Sequence, residues 1–144
     1  GSMSQLKLHK ILYYIHSYHL AYFDSSLIDD TFQAWVHGPI SMKIYNLFKE
    51  KYSLYSELSI STDDKELSPE NVINNQLNMP QIELIDDVID ELKNLSGLEL
   101  ENMTKSEEPW LSAREGYSHG QKCAVEISNE IIRSFYKHQI YGEI

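Results

Sequence analysis

Leu8, Ile11, Leu12, Ile15, Tyr18 or His19, and Tyr22 recur at alternating intervals of three and four residues. That spacing puts them on one side of a 3.6-residue helix, so residues 5–23 are expected to form a long helix with one buried face. Asp24-Ser25-Ser26 should end it. Tyr13, His16 and Ser17 fall off the apolar stripe. They are expected on the outer face of the helix, where exposed aromatic side chains favour use as partner anchors.

The other segments read mostly as helices that could cover this one. Residues 31–36 (Thr-Phe-Gln-Ala-Trp-Val) are β-prone and predict a short strand. Gly38-Pro39 is expected to open a second helix, with Pro39 at the first helical position, where a missing N–H is harmless. Ile40, Ile44, Leu47 and Phe48 would form its apolar stripe. Residues 53–79 are polar and mixed. Within them, residues 57–61 alternate like a second strand, 62–65 read as a turn, and Ser68-Pro69-Glu70 with the asparagines after it reads as a loop or short frayed helix, where mobility is expected. Pro80 should start a helix running to about Leu95. Its inner face would hold Ile82, Ile85, Val88 or Ile89, Leu92 and Leu95, and its outer face Glu83, Asp86, Asp87, Asp90 and Glu91. Short helices are expected over residues 98–103 and 109–115, and a last one over about 122–138, buried through Ala124, Ile127, Ile131 and Phe135. The expected fold is mainly α (α+β): a single-domain bundle of five or six helices with a small two-stranded β element, spanning residues 4–144. Gly1-Ser2 and Met3 read as an expression scar and initiator methionine.

Twenty-two acidic residues face twelve basic ones, a formal charge of −10. Nucleic-acid affinity rests on clustered Lys and Arg, so this balance argues against a phosphate-binding surface and suits a basic protein partner. No apolar run approaches the ~18 residues of a membrane span, and no signal peptide is visible. Cys123 is the only cysteine, which excludes an internal disulfide and makes a cytoplasmic setting the expectation.

Catalytic and metal chemistries find little support. His9, His16 and His19 lie on one helix without an H-E-x-x-H pattern or a second cysteine, so no metal is expected, and His19 is expected to be a hydrogen-bonded structural imidazole. Glu107 and Glu108 are adjacent and would point apart, so they do not converge on one proton. They suit a helix start capped by Ser106 or Thr104. Residues 104–114 have the outline of a helix-turn-helix, but acids stand where a recognition helix needs basic or polar residues. Arg114 is expected to pair with an inner carboxylate. Trp35 and Trp110 are expected to be largely buried. No enzyme activity and no cofactor are expected.

Three segments in order carry a resemblance. The first is Lys7-Leu8-His9-Lys10-Ile11-Leu12-Tyr13-Tyr14, continuing to His19-Leu20. The second is Ala34-Trp35-Val36-His37-Gly38-Pro39-Ile40, with Tyr45 after it. The third is Thr104-Lys105 with Pro109-Trp110 and Ala113-Arg114. Together they resemble the Panacea, or SocA-like antitoxin, domain. His9 and His16 stand where that family usually has Gln, Met42 where it has Pro, and Lys105 where it has His. The resemblance implies a bacterial or phage antitoxin that neutralises a cognate protein toxin by direct binding, with no catalytic residues. The alternatives are an adaptor that hands the toxin to a protease and a DNA-binding regulator of its own operon. On this reading Tyr14, His19, Trp35, Gly38, Pro39, Tyr45, Thr104, Pro109, Trp110 and Arg114 are signature residues that serve the fold. Tyr13, His16 and Ser17, with Asp86, Asp87 and Asp90, are the expected partner-binding residues.

Overall fold

In a computed structural model of the chain, the described residues are 4–54 and 77–142. Helix α1 (Gln5–Phe23) has the expected bounds. Ser4 caps its N-terminus by accepting the Lys7 N–H at 3.1 Å, and Asp24 ends it in a left-handed turn with φ 57°. Then follow β1 (Phe32–Trp35), β2 (Gly38–Ser41), α2 (Met42–Leu54), α3 (Met79–Leu92), α4 (Gly97–Lys105), α5 (Glu108–Ala113), β3 (Glu126–Ile127) and α6 (Asn129–Tyr141). The architecture is mainly α with a small antiparallel sheet of order β2-β1-β3. The expected strand at 57–61, the turn at 62–65 and the frayed segment after Ser68 lie outside the described residues.

Pro39 does not open a helix. It lies in β2, opposite Ala34, and the chain becomes helical only at Met42. The reason is in the ladder. Ala34 donates its N–H away from β2, to the Val125 carbonyl at 2.8 Å. The residue facing it on β2 therefore needs no N–H, and proline costs the sheet nothing there. Trp35 pairs with Gly38 across a two-residue turn, and Gly38 takes φ 103°, a conformation that favours glycine.

The last helix also starts later than its periodicity suggests. Ser128 accepts the N–H groups of Glu130 and Ile131 and caps α6. The preceding Glu126 and Ile127 pair with Gln33 and Phe32 as β3. Ala124 and Ile131 are exposed, and Ile132 and Tyr136 take the inner face. In α3 the inner face holds Leu84, Ile85, Val88 and Leu92, while Ile82 turns outward. Leu47 and Tyr22 are likewise exposed.

The largest difference concerns α1. It is not a surface helix with one covered face but the axis of the molecule, packed by α3, α4, α6 and β2. It is buried almost continuously from Leu8 to Ala21. Tyr13 (1% exposed), His16 (0%) and Ser17 (0%) lie inside, not on an outer face. Their polar atoms are largely matched locally. Ser17 Oγ donates to the Tyr13 carbonyl at 2.7 Å, and His16 Nε2 lies 2.9 Å from Asn129 Oδ1.

Candidate functional site

Six of the signature residues, Trp35, Gly38, Pro39, Thr104, Trp110 and Arg114, meet at the β1–β2 hairpin. Lys10, fully buried, reaches from α1 to donate to the Pro39 carbonyl at 3.0 Å. A Cβ on Gly38 would lie 2.6 Å from Lys10 Cε and 2.8 Å from Thr104 Oγ1, so glycine permits this close approach. The Trp110 indole N–H donates to the Trp35 carbonyl at 2.8 Å. Among the described residues Arg114 pairs with no carboxylate. It donates to the Ala34 carbonyl at 2.7 Å, to the Ser118 and His119 carbonyls at 3.0 and 3.3 Å, and to the Gln121 carbonyl. One guanidinium thus gathers the β1 backbone and the loop after α5. It also lies over the Trp110 ring, 4.9 Å from its centre. Trp110 is buried and Trp35 half-buried.

Charges buried here are balanced within the clamp. Burial lowers the Lys10 ammonium to about 7, partly opposed by the nearby Glu101 carboxylate. Glu101, itself buried, accepts from His37 and Lys105 at 3.2 Å each. Burial disfavours its charge, but those two hydrogen bonds prevail and hold it below the usual carboxylate range. Lys105, a departure from the family pattern, therefore has a defined partner.

Tyr14 donates to one oxygen of Glu107 at 3.1 Å, and Tyr136 donates to the other. Burial pushes the Glu107 carboxyl up, against the stabilising effect of these two donors. Glu107 is the N-cap residue of α5 but caps nothing with its side chain. The expected caps, Ser106 and Thr104, instead donate to the carbonyls of Met103 and Glu101 at 2.8 and 2.7 Å. Glu107 is an acceptor linking three helices. His19 is the expected structural imidazole: Nδ1 lies 2.6 Å from the Ser25 carbonyl oxygen and Nε2 3.0 Å from Gln81 Nε2.

A different chemistry lies at the other end of α1. Tyr18, Tyr22 and Phe23 form the aromatic wall of a groove of about 590 Å³, closed by Leu84 and Val88 of α3 and Ile140 of α6. Its rim carries Glu83, Asp87 and Glu91. Spaced four residues apart, these acids occupy one side of α3. None of the three is in an ion pair among the described residues. Asp86, Asp87 and Asp90 are exposed as expected, but only Asp87 lines the groove. Asp86 and Asp90 lie outside it, and Asp90 pairs with Lys93 at 3.0 Å. The structure thus separates the six expected partner-binding residues. Tyr13, His16 and Ser17 are interior, and Asp87 joins Glu83, Glu91, Tyr22 and Phe23. The shared four-residue spacing at 83, 87 and 91, and at 18 and 22, was the available sequence signal.

Among the described residues no group of three or more His, Cys, Asp or Glu side chains could hold a metal ion. No described helix is long and apolar enough to cross a membrane. The family model described as antitoxin SocA-like, Panacea domain, matches residues 8–111, well over half of the chain. No curated protein and no solved structure matches it.

Proposed function

The chain belongs to the antitoxin SocA-like, Panacea domain family, and from that membership we propose that it neutralises a cognate protein toxin by direct contact, without catalysis of its own. The observation that carries the contact reading is the groove between α1, α3 and α6. Tyr22 (46% exposed) and Phe23 (37%) stand beside a row of carboxylates, Glu83, Asp87 and Glu91, that has no ion-pair partner among the described residues. Aromatic anchors within a charged rim have the composition of an interface centre. The net charge of −10 suits a basic toxin, which the rim would attract and the aromatic floor would then hold. Asp86 and Asp90 extend the field beyond the groove. Tyr13, His16 and Ser17 have no place in this surface, since a docking partner cannot reach them.

The test is co-expression with the product of the neighbouring gene, read as growth and as recovery of a complex. Growth restored by the unaltered chain, with a recoverable complex, is the expected result. The triple reversal Glu83→Lys, Asp87→Lys and Glu91→Lys should abolish both while leaving the melting temperature in place. Unchanged protection by that variant would remove the groove from the reading. Failure of the unaltered chain to protect would remove the antitoxin role. A shortened toxin half-life in its presence would favour delivery to a protease over blocking.

A further inference from the structure

The groove between α1, α3 and α6 limits the shape of what can fill it as well as the charge. Every residue lining it belongs to a helix: Tyr18, Tyr22 and Phe23 to α1, Pro80, Leu84 and Val88 with the three rim acids to α3, and Ile140 to α6. Among the described residues no strand reaches it. The backbone groups of these segments are largely spent inside their own helices. At the opening of α3, where free N–H groups would stand, Pro80 has none and the Gln81 N–H goes to the Asn78 side chain at 2.9 Å. At the end of α1 the Asp24 N–H closes on the Leu20 carbonyl at 3.0 Å. An extended chain laid here would find no ladder, and its own N–H and C=O groups would go unpaired. A helix brings its backbone bonds with it.

Two repeats of the same period run along the groove. Glu83, Asp87 and Glu91 follow one another at intervals of four residues, about 6 Å along the helix axis. Tyr18 and Tyr22 have the same interval on α1, with ring centroids 6.5 Å apart and planes tilted by 31°. Burial, and next the Glu91 carboxylate, raise the Tyr18 phenol, so acid and ring face the same space. Carboxylates beside aromatic rings suit a guanidinium, which can pair with the one and stack on the other. We propose that the occupant of the groove is a basic amphipathic helix. Its arginines or lysines, at positions i, i+4 and i+8, stand against Glu83, Asp87 and Glu91, and large apolar side chains on the neighbouring stripe pack on Tyr22, Phe23 and Ile140. The toxin supplies this helix on the reading above, on which the inference rests. A second copy of the chain is disfavoured here, since its charge of −10 would bring acids to acids.

The test uses the full chain and an alanine-based peptide of about 18 residues, long enough to be helical alone. The peptide carries three arginines four residues apart and leucines on the adjoining stripe. One control has the same composition shuffled around the helix, and another has a central proline. The parent peptide is expected to shift the amide resonances of Tyr22, Phe23, Asp87 and Val88, and each control to bind at least about tenfold more weakly. Glu83→Lys, Asp87→Lys and Glu91→Lys together should abolish binding. Tyr22→Ala, at an exposed ring, should weaken it about tenfold with the melting temperature in place. Toxin recovered in the complex should displace the peptide. The proposal is overturned if the parent peptide fails to bind, if either control matches it, or if binding survives the triple reversal. Self-association of the chain through the same amides would also overturn it, by assigning the groove to a second copy. Protection of growth with no peptide binding leaves the antitoxin role standing and removes the helix. Peptide binding by a chain that protects against no toxin keeps the basic-helix site and removes that role.

Discussion

The two ends of α1 differ in how their polar groups are used. His9 and Tyr22 are separated by about 20 Å along the helix axis. At the N-terminal end, Lys10, Trp110 and Arg114 hold backbone carbonyls of the hairpin and the loop beside it, and Gly38 admits the lysine. At the C-terminal end, Glu83, Asp87 and Glu91 face an aromatic wall with no ion-pair partner among the described residues. Most signature positions belong to the first end; His19 lies toward the second, on Ser25 and Gln81, but none of them lines the groove there. The lesson is that the recognisable part of this chain builds the scaffold. On the proposed reading the partner-facing surface lies at the other end, where its residues could change without disturbing the fold.

Substitutions should separate the two ends by their effect on stability. The largest loss is expected for Trp110→Ala, which empties a buried site and removes the indole donor from the Trp35 carbonyl. Chemical denaturation should register a loss of ~3–5 kcal/mol. A loss below about 1 kcal/mol would mean the hairpin is held by other contacts. Gly38→Ala comes next, at about 1–3 kcal/mol, because its Cβ would collide with Lys10 Cε and the residue has φ 103°. Pairing it with Lys10→Met should recover part of that loss if the collision is its source.

Lys10→Met alone sharpens the comparison through pH. The folded-state value of Lys10, about 7, lies below its unfolded value. Between pH 7 and the ordinary lysine range the unfolded chain therefore holds a proton that the folded chain lacks, and stability should climb with pH in that window. Below pH 7 both states are protonated and this gain is absent. Burial raises Tyr13, Tyr14 and Tyr136, so the unfolded phenols ionise first near pH 10 and stability should fall again beyond that point. Denaturation from pH 7 to 9.5 should show the climb in the unaltered protein and a flat line in Lys10→Met. A climb that persists would assign it to another group. The smallest stability effect, within about 0.5 kcal/mol, is expected for the triple reversal on the groove rim. Its consequence should appear in toxin association, where added salt slows the on-rate of the unaltered chain by screening beyond ~8 Å and barely affects the variant.

The elements visible in the sequence were those with local signals. The periodicity of Leu8 to Leu20 and the β-prone run at Phe32 located α1 and β1, and the charge pattern of α3 placed Asp86, Asp87 and Asp90 on the surface. What escaped depends on distant partners. Periodicity identifies the more apolar face of a helix but cannot say that the opposite face is covered too, so Tyr13, His16 and Ser17 were assigned to solvent. Pro39 could join a strand only because Ala34 bonds elsewhere. Arg114 chose the Ala34 carbonyl, 80 residues away, as well as nearby ones, and a two-residue β3 is too short to have a pattern. The rim acids Glu83 and Glu91 were visible, but their aromatic neighbours Tyr22 and Phe23 come from another helix.

The central position of α1 also has a consequence for the order of synthesis. This helix leaves the ribosome well before α6, whose Tyr136 packs against Tyr13, Tyr14 and Tyr18. At ordinary elongation rates the interval is on the order of ten seconds. During it the nascent chain presents a helix rich in tyrosine and aliphatic residues with one of its principal covers unmade, a target for chaperones and proteases. Ribosome-bound chains halted before Asn129 should be cut within α1 by a dilute protease, and chains extended well past Tyr141 should resist. Equal resistance at both lengths would mean that α3 and α4 suffice to shelter it.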